Sequence, residues 1–199
     1  MIYRISNDDD LMSLYFKSSA EEKIKFILED YSSFLKKTNA LMELLKMDVA
    51  NDRDFRIKRE RGPDNIRVMS SGISDTTAQI AISNVMLDDA FESGDIESEI
   101  MKTDEPEKYR RKYHRIISME QDYKIVSNFI DMLPTYDRYL LEKFYEFREN
   151  GRYINELSDK VEIDPQSLYK RIGRIKKKIT LSALSRFATK YCQEGQMAG

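Results

Sequence analysis

The stretch INELSDKVEIDPQSLYKRIGRIKKKI, residues 154–179, decides the reading of this chain. Its first eight residues place Ile154, Leu157, Ser158 and Val161 at i, i+3, i+4 and i+7, one face of a short helix. The small Ser158 stands where a second helix would cross closely. Glu162-Ile163-Asp164 is a tight turn, and Asp164-Pro165 opens a new helix, with the aspartate capping and the proline in the first helical position. In that second helix Leu168, Ile172, Ile175 and Ile179 are spaced 4, 3 and 4 and share a face. At about 100° per residue, Gln166, Lys170, Arg174 and Lys177 fall on the opposite face, with Ser167, Arg171 and Lys178 on one flank. The spacing predicts a helix-turn-helix whose second helix locks its apolar side inward and offers its other side to a DNA major groove.

Within that helix the position along the axis sorts the contacts. Gln166, Ser167 and Lys170, near its start, are expected at base edges. Arg171, Arg174, Lys177 and Lys178 are expected at phosphates, Arg174 at a guanine edge as an alternative. Gly173 lies on the outward arc, where it either allows close approach to DNA or is simply tolerated. A solvated basic helix, or a helix-turn-helix used only for packing, is the plainer reading. Neither explains the small crossing residue, the short turn, the capped second helix and its charge together.

Charge supports the same region. The net charge is -2, yet residues 165–193 hold eight cations and no acid, whereas residues 88–107 hold nine acids and one cation, Lys102. The local field, not the sum, governs binding to a polyanion.

Working outward, Leu133-Pro134 precedes a helix from about Thr135 that should bury Tyr136, Leu140, Leu141, Phe144 and Phe147 and stop at Asn150-Gly151. From Leu133-Pro134 through Ile179 the chain resembles region 4 of bacterial sigma factors, in which a leucine-proline pair opens the first helix. Tyr153-Ile154-Asn155-Glu156-Leu157-Ser158 and Ser167-Leu168-Tyr169-Lys170-Arg171-Ile172 carry that likeness. Glu162 departs from a common glycine in the turn, and Asp164-Pro165 from a serine-led cap. The order Ser71-Gly72-Ile73-Ser74-Asp75-Thr76-Thr77, a long helix, then this module is similar to the ArpU/RinA-type regulators of phage late genes. The resemblance implies a phage or prophage transcription activator working with bacterial RNA polymerase in the cytoplasm of the bacterial host. A sigma factor proper is not expected, because the chain has no tryptophan and no basic-aromatic helix suited to melted promoter strands.

The N-terminal part reads as helix throughout. Ser19-Ala20-Glu21-Glu22 fits a capping box. Ile24, Ile27, Leu28, Tyr31, Phe34, Leu35, Leu41, Met42 and Leu45 recur in near-sevens after it, broken by Thr38. This stripe suits an intramolecular hairpin or a homodimer seam equally. Asp52 to Arg67, rich in both charges and punctuated by Gly62-Pro63, reads as a solvated loop or fray zone, with a second phosphate-contacting patch as the weaker alternative. Ser70 to Thr77 caps a helix bearing Ala78, Ala81, Ile82, Val85 and Phe91 that fails near Gly94. The acidic stretch to Asp104 is a connector, and Pro106 starts a helix carrying Tyr109, Tyr113, Ile116, Ile117, Tyr123, Val126 and Ile130.

The expected fold is all-α: an N-terminal long-helix hairpin or coiled-coil-like region (1–105), a connecting helix (106–132), a sigma region 4-like helix-turn-helix domain (133–186) and a tail (187–199). Cys192 is the lone cysteine and His114 the lone histidine. With no glycine loop or nucleophile elbow, an enzyme, a metal site and a cofactor are not expected. No apolar run or signal-peptide layout suggests a membrane. The expected partner is double-stranded DNA. The alternative is a small-terminase-like DNA-packaging protein, in which a helix-turn-helix joins an oligomerising hairpin; a ring of many copies, read by light scattering, would favour it.

Overall fold

The computed structural model describes residues 8–61, 76–150 and 154–197, and every regular element among them is an α-helix. In chain order these are α1 (Asp8–Lys17), α2 (Ala20–Glu29), α3 (Tyr31–Arg61), α4 (Thr76–Ser93), α5 (Glu97–Ile100), α6 (Pro106–Asp131), α7 (Thr135–Glu149), α8 (Ile154–Val161) and α9 (Pro165–Met197). None of the described helices is long and apolar enough to cross a membrane. Gly62-Pro63, Arg67 and the Ser70 to Asp75 part of the expected cap lie outside the described residues. The described residues form two compact units, one from those within 1–38 and 118–199 and the other from those within 39–117.

In the first unit the capping box at Ser19 is complete. The Glu22 N–H donates to Ser19 Oγ at 3.3 Å and the Ser19 N–H to Glu22 Oε2 at 2.8 Å. The helix it opens is short. At Asp30 the backbone leaves helical geometry and its carbonyl accepts from the Phe34 N–H at 2.8 Å, so α3 restarts at Tyr31. The apolar face of α2 (Ile24, Ile27 and Leu28) is buried, and α2 packs along α9. Phe34 is buried in the same unit, against Tyr15, Phe26 and Tyr123, and Leu41 and Leu45 are buried in the other unit. Most of the stripe expected to serve as hairpin or dimer seam is therefore consumed within the chain. Leu35, at 38% exposed, is not.

The expected division at Pro134 and the expected tail also change. α9 continues to Met197, and Ala183 and Phe187, in its second half, are fully buried. Val126 and Ile130 of α6 are buried in the unit that holds α7 to α9. The segment expected to be a connector and the one expected to be a tail thus both build the core. Deep among them, Asp122 is fully buried. It accepts from Tyr15 Oη at 2.7 Å, from Lys190 Nζ at 2.9 Å and from Tyr191 Oη. Lys190 Nζ also donates to Ser118 Oγ at 2.8 Å and the Ser118 carbonyl at 2.9 Å. Burial, reinforced by the Asp122 charge, raises the Tyr15 phenol far above its ordinary range, so it remains a donor.

In the second unit the part of the expected loop from Asp52 to Arg61 is helix. α3 runs on to Arg61 because its buried positions, Leu41, Leu45, Val49 and Arg53, recur every four residues on one face. Arg53 is 1% exposed and its guanidinium donates to Glu99 Oε2 (2.9 Å), the Ser83 carbonyl (3.0 Å) and Asn84 Oδ1 (3.0 Å). That demand explains the acidic connector: α5 and its flank bury Ile96 and Ile100 and deliver the Glu99 carboxylate to Arg53. Among the described side chains of α4, which begin at Ala81 and so leave out the expected Ala78, Leu87 and Ala90 are buried, whereas Ile82 and Val85, expected inside, are exposed. Gly94 closes that stretch with φ of +81°, as expected for a residue free of a Cβ.

Candidate nucleic-acid interface

The helix-turn-helix is built on α7. Leu140, Leu141, Tyr145 and Phe147 are its buried residues; Tyr136 is exposed and Phe144 half-buried, so the inward face is rotated from the expected one. Tyr145 earns its place through its hydroxyl, which donates to the Leu28 carbonyl at 2.5 Å. In α8, Leu157 and Ser158 are buried. Ser158 does more than permit close packing: its hydroxyl donates to the Ile163 carbonyl, and the Ile163 N–H returns a bond to the Ser158 carbonyl at 3.1 Å. Those two bonds fix the turn. Between them Glu162 takes φ of 54°, the left-handed conformation that the common glycine would adopt more easily.

Asp164 caps α9 as expected, accepting from the Ser167 N–H at 2.8 Å and the Gln166 N–H at 3.4 Å. The bonds to Ser167 hold its carboxyl below the ordinary aspartate range. Leu168, Ile172, Ile175 and Ile179 are all buried, and Gln166, Ser167, Lys170, Arg174, Lys177 and Lys178 all stand exposed. Gly173 is exposed too, and a Cβ there would meet nothing within 4 Å, so packing within the chain does not require the glycine.

Arg171 has partners within the chain. Its Nη2 donates to Asp137 Oδ1 at 2.8 Å and its Nε to the same oxygen at 3.3 Å, while the guanidinium lies 4.6 Å from the Tyr136 ring centroid. Its fork clamps α9 to the start of α7. Beside it a shallow cleft is lined by Asp137, Arg171, Arg174, Ile175 and Lys178. Arg174 and Lys178 are its exposed cations.

Lys176 is hidden in the run of cations. It turns inward, with Nζ 4.9 Å from the Phe144 centroid and 5.1 Å from that of Tyr145. The helical wheel carries the signal, since Lys176 lies next to Ile172 on the flank of the buried stripe. Burial first, and the Arg148 charge second, push its pKa down to about 8. A lysine depressed from its unfolded value binds fewer protons when folded across the window from about 8 to about 10.4, so stability rises with pH there. Below that window the cost of the buried ammonium is fully present. Lys176→Met is therefore expected to stabilise the protein at pH 7 by about 1–2 kcal/mol, a figure discounted for partial solvent access. It should also flatten the alkaline rise. Urea midpoints at pH 7 and pH 9 check both expectations, and an unchanged or lowered midpoint at pH 7 would contradict the assignment.

Comparison of the chain with protein-family models, with curated proteins and with solved structures gives no match. The site stands on its own geometry.

Proposed function

We propose that this protein is a sequence-specific DNA-binding transcription regulator, a phage or prophage activator that acts with bacterial RNA polymerase. One observation carries the DNA-binding part: a capped helix locked by four buried apolar residues presents Gln166, Ser167, Lys170, Arg174, Lys177 and Lys178 together to solvent. No acid interrupts residues 165–193 to repel a phosphate backbone. The activator role rests on the resemblance to phage late-gene regulators.

Cationic side chains on such a face release counterions when they meet phosphates. Log affinity for duplex DNA should fall with log salt at about -0.9 per phosphate neutralised. A flat salt titration would refute the proposal. Selection from random duplexes tests the division of labour along the helix. Gln166→Ala should relax preference at one position and cost about 1–3 kcal/mol on the best site. Lys178→Ala should weaken all sequences about equally and reduce the salt slope by about one. Lys176→Met, whose ammonium faces inward, should leave that slope unchanged. The reverse pattern would mean that another face of α9 meets the DNA.

A further inference from the structure

α4 is apolar on two sides, but its own unit covers only one of them. Leu87 and Ala90 face inward and are buried, while Ile82, Val85 and Met86 are 61%, 58% and 56% exposed. These three stand at i, i+3 and i+4, so they form a continuous stripe at the middle of the helix. Helices that are apolar on all sides are normally covered on all sides. The charges are as uneven as the apolar groups. α4 carries no lysine or arginine, and Asp88, Asp89 and Glu92 crowd its C-terminal end, the end at which the helix dipole disfavours anions. Asp88 is answered by Lys46 at 2.5 Å; Asp89 and Glu92 stand exposed.

We propose that the occupant of this stripe is the α4 of a second copy, running antiparallel about a two-fold axis near residue 84. Because the stripe sits at mid-helix, antiparallel pairing superimposes the two stripes and sets Ile82 of one copy against Met86 of the other. The same arrangement brings Asp89 and Glu92 to the N-terminal end of the partner's α4, where the dipole favours them. Parallel pairing would stack acid on acid. A stable interface of standard size buries about 800 Å² per partner, more than one helical stripe supplies. The dimer is therefore weak in free solution, with dissociation in the micromolar range or above. A dimer also gives a two-fold arrangement of helix-turn-helix modules, whose reading of half-sites adds through effective concentration. The dimer itself does not depend on DNA binding.

Sedimentation of the full-length protein without DNA, from low to high micromolar concentration, tests it directly. The wild type should shift from monomer to dimer. Val85→Glu should weaken association at least about tenfold, because it sets an unpaired charge into an apolar seam, and should leave helicity unchanged at so exposed a position. Asp89→Lys with Glu92→Lys should separate two effects. On one helix these cations suit the C-terminal dipole and raise thermal stability; across the two-fold axis they meet the partner's N-terminal end and weaken the dimer. Val85→Cys, in a protein with Cys192→Ser, should cross-link to a dimer on mild oxidation. A protein that remains monomeric and does not cross-link overturns the proposal. So does a dimer that survives Val85→Glu, or one that the lysine pair strengthens. None of these outcomes alters the salt titration that tests DNA binding.

Discussion

Asp122→Ala is expected to lower the unfolding free energy by about 3–5 kcal/mol, well beyond the cost of an ordinary surface substitution. Asp122 is fully buried and the Lys190 side chain 14% exposed, so the alanine variant leaves an ammonium inside the unit without its carboxylate partner. It also removes the Asp122 carboxylate that accepts from the hydroxyls of Tyr15 and Tyr191. A buried pair is not in itself a large source of stability, since both charges were desolvated to form it. The loss comes from breaking it on one side. Lys190→Met on top of Asp122→Ala should therefore recover much of the deficit. A double-mutant cycle by urea denaturation measures that coupling. A loss below about 1 kcal/mol for Asp122→Ala would mean that water reaches the cluster and that it does not hold α1, α6 and α9 in register.

An isolated segment of residues 132–199 is expected to lose most of its helicity, to unfold without a cooperative transition and to bind duplex DNA at least about tenfold more weakly than the full chain. Its own apolar residues, Leu140, Phe144, Leu157, Val161, Leu168 and Ile172, argue from sequence that it folds alone. The packing of the whole chain argues the other way. Removing the preceding residues takes away α2, which packs along α9, the Leu28 carbonyl that accepts from Tyr145, the Glu29 carbonyl that accepts from Arg148 at 2.7 Å, and Asp122. Ala183 and Phe187, fully buried in the whole chain, lose elements packed around α9. So small a segment has little core in reserve. Circular dichroism and thermal melts decide it. A cooperative melt with near-native helicity would show that the helix-turn-helix is self-sufficient.

Much of the candidate interface is legible in the sequence because its signals are local. A capping aspartate, a proline at the first helical position and a 4-3-4 apolar spacing act over a few residues each, and sequence order carries them intact. The phase of α9 follows from them, and with it the exposure of Gln166, Ser167, Lys170, Arg174, Lys177 and Lys178. The all-α class is readable for the same reason. Wherever the outcome hangs on a partner distant in sequence, it is not. Arg171 is an outward cation on a helical wheel, and only the approach of α7 supplies the Asp137 carboxylate and the Tyr136 ring that hold it. Lys176 looks like one of a basic cluster until Phe144 and Tyr145 close over it. Arg53 reads as solvated because nothing near it in sequence reveals that Glu99 will be folded against it. The N-terminal stripe likewise has a period but no address: its spacing says that Ile24, Ile27 and Leu28 must be covered, and only the packed chain decides that α9 covers α2. Backbone conformation is chosen largely by near neighbours. Burial and ion pairing are chosen by whatever the tertiary fold brings alongside.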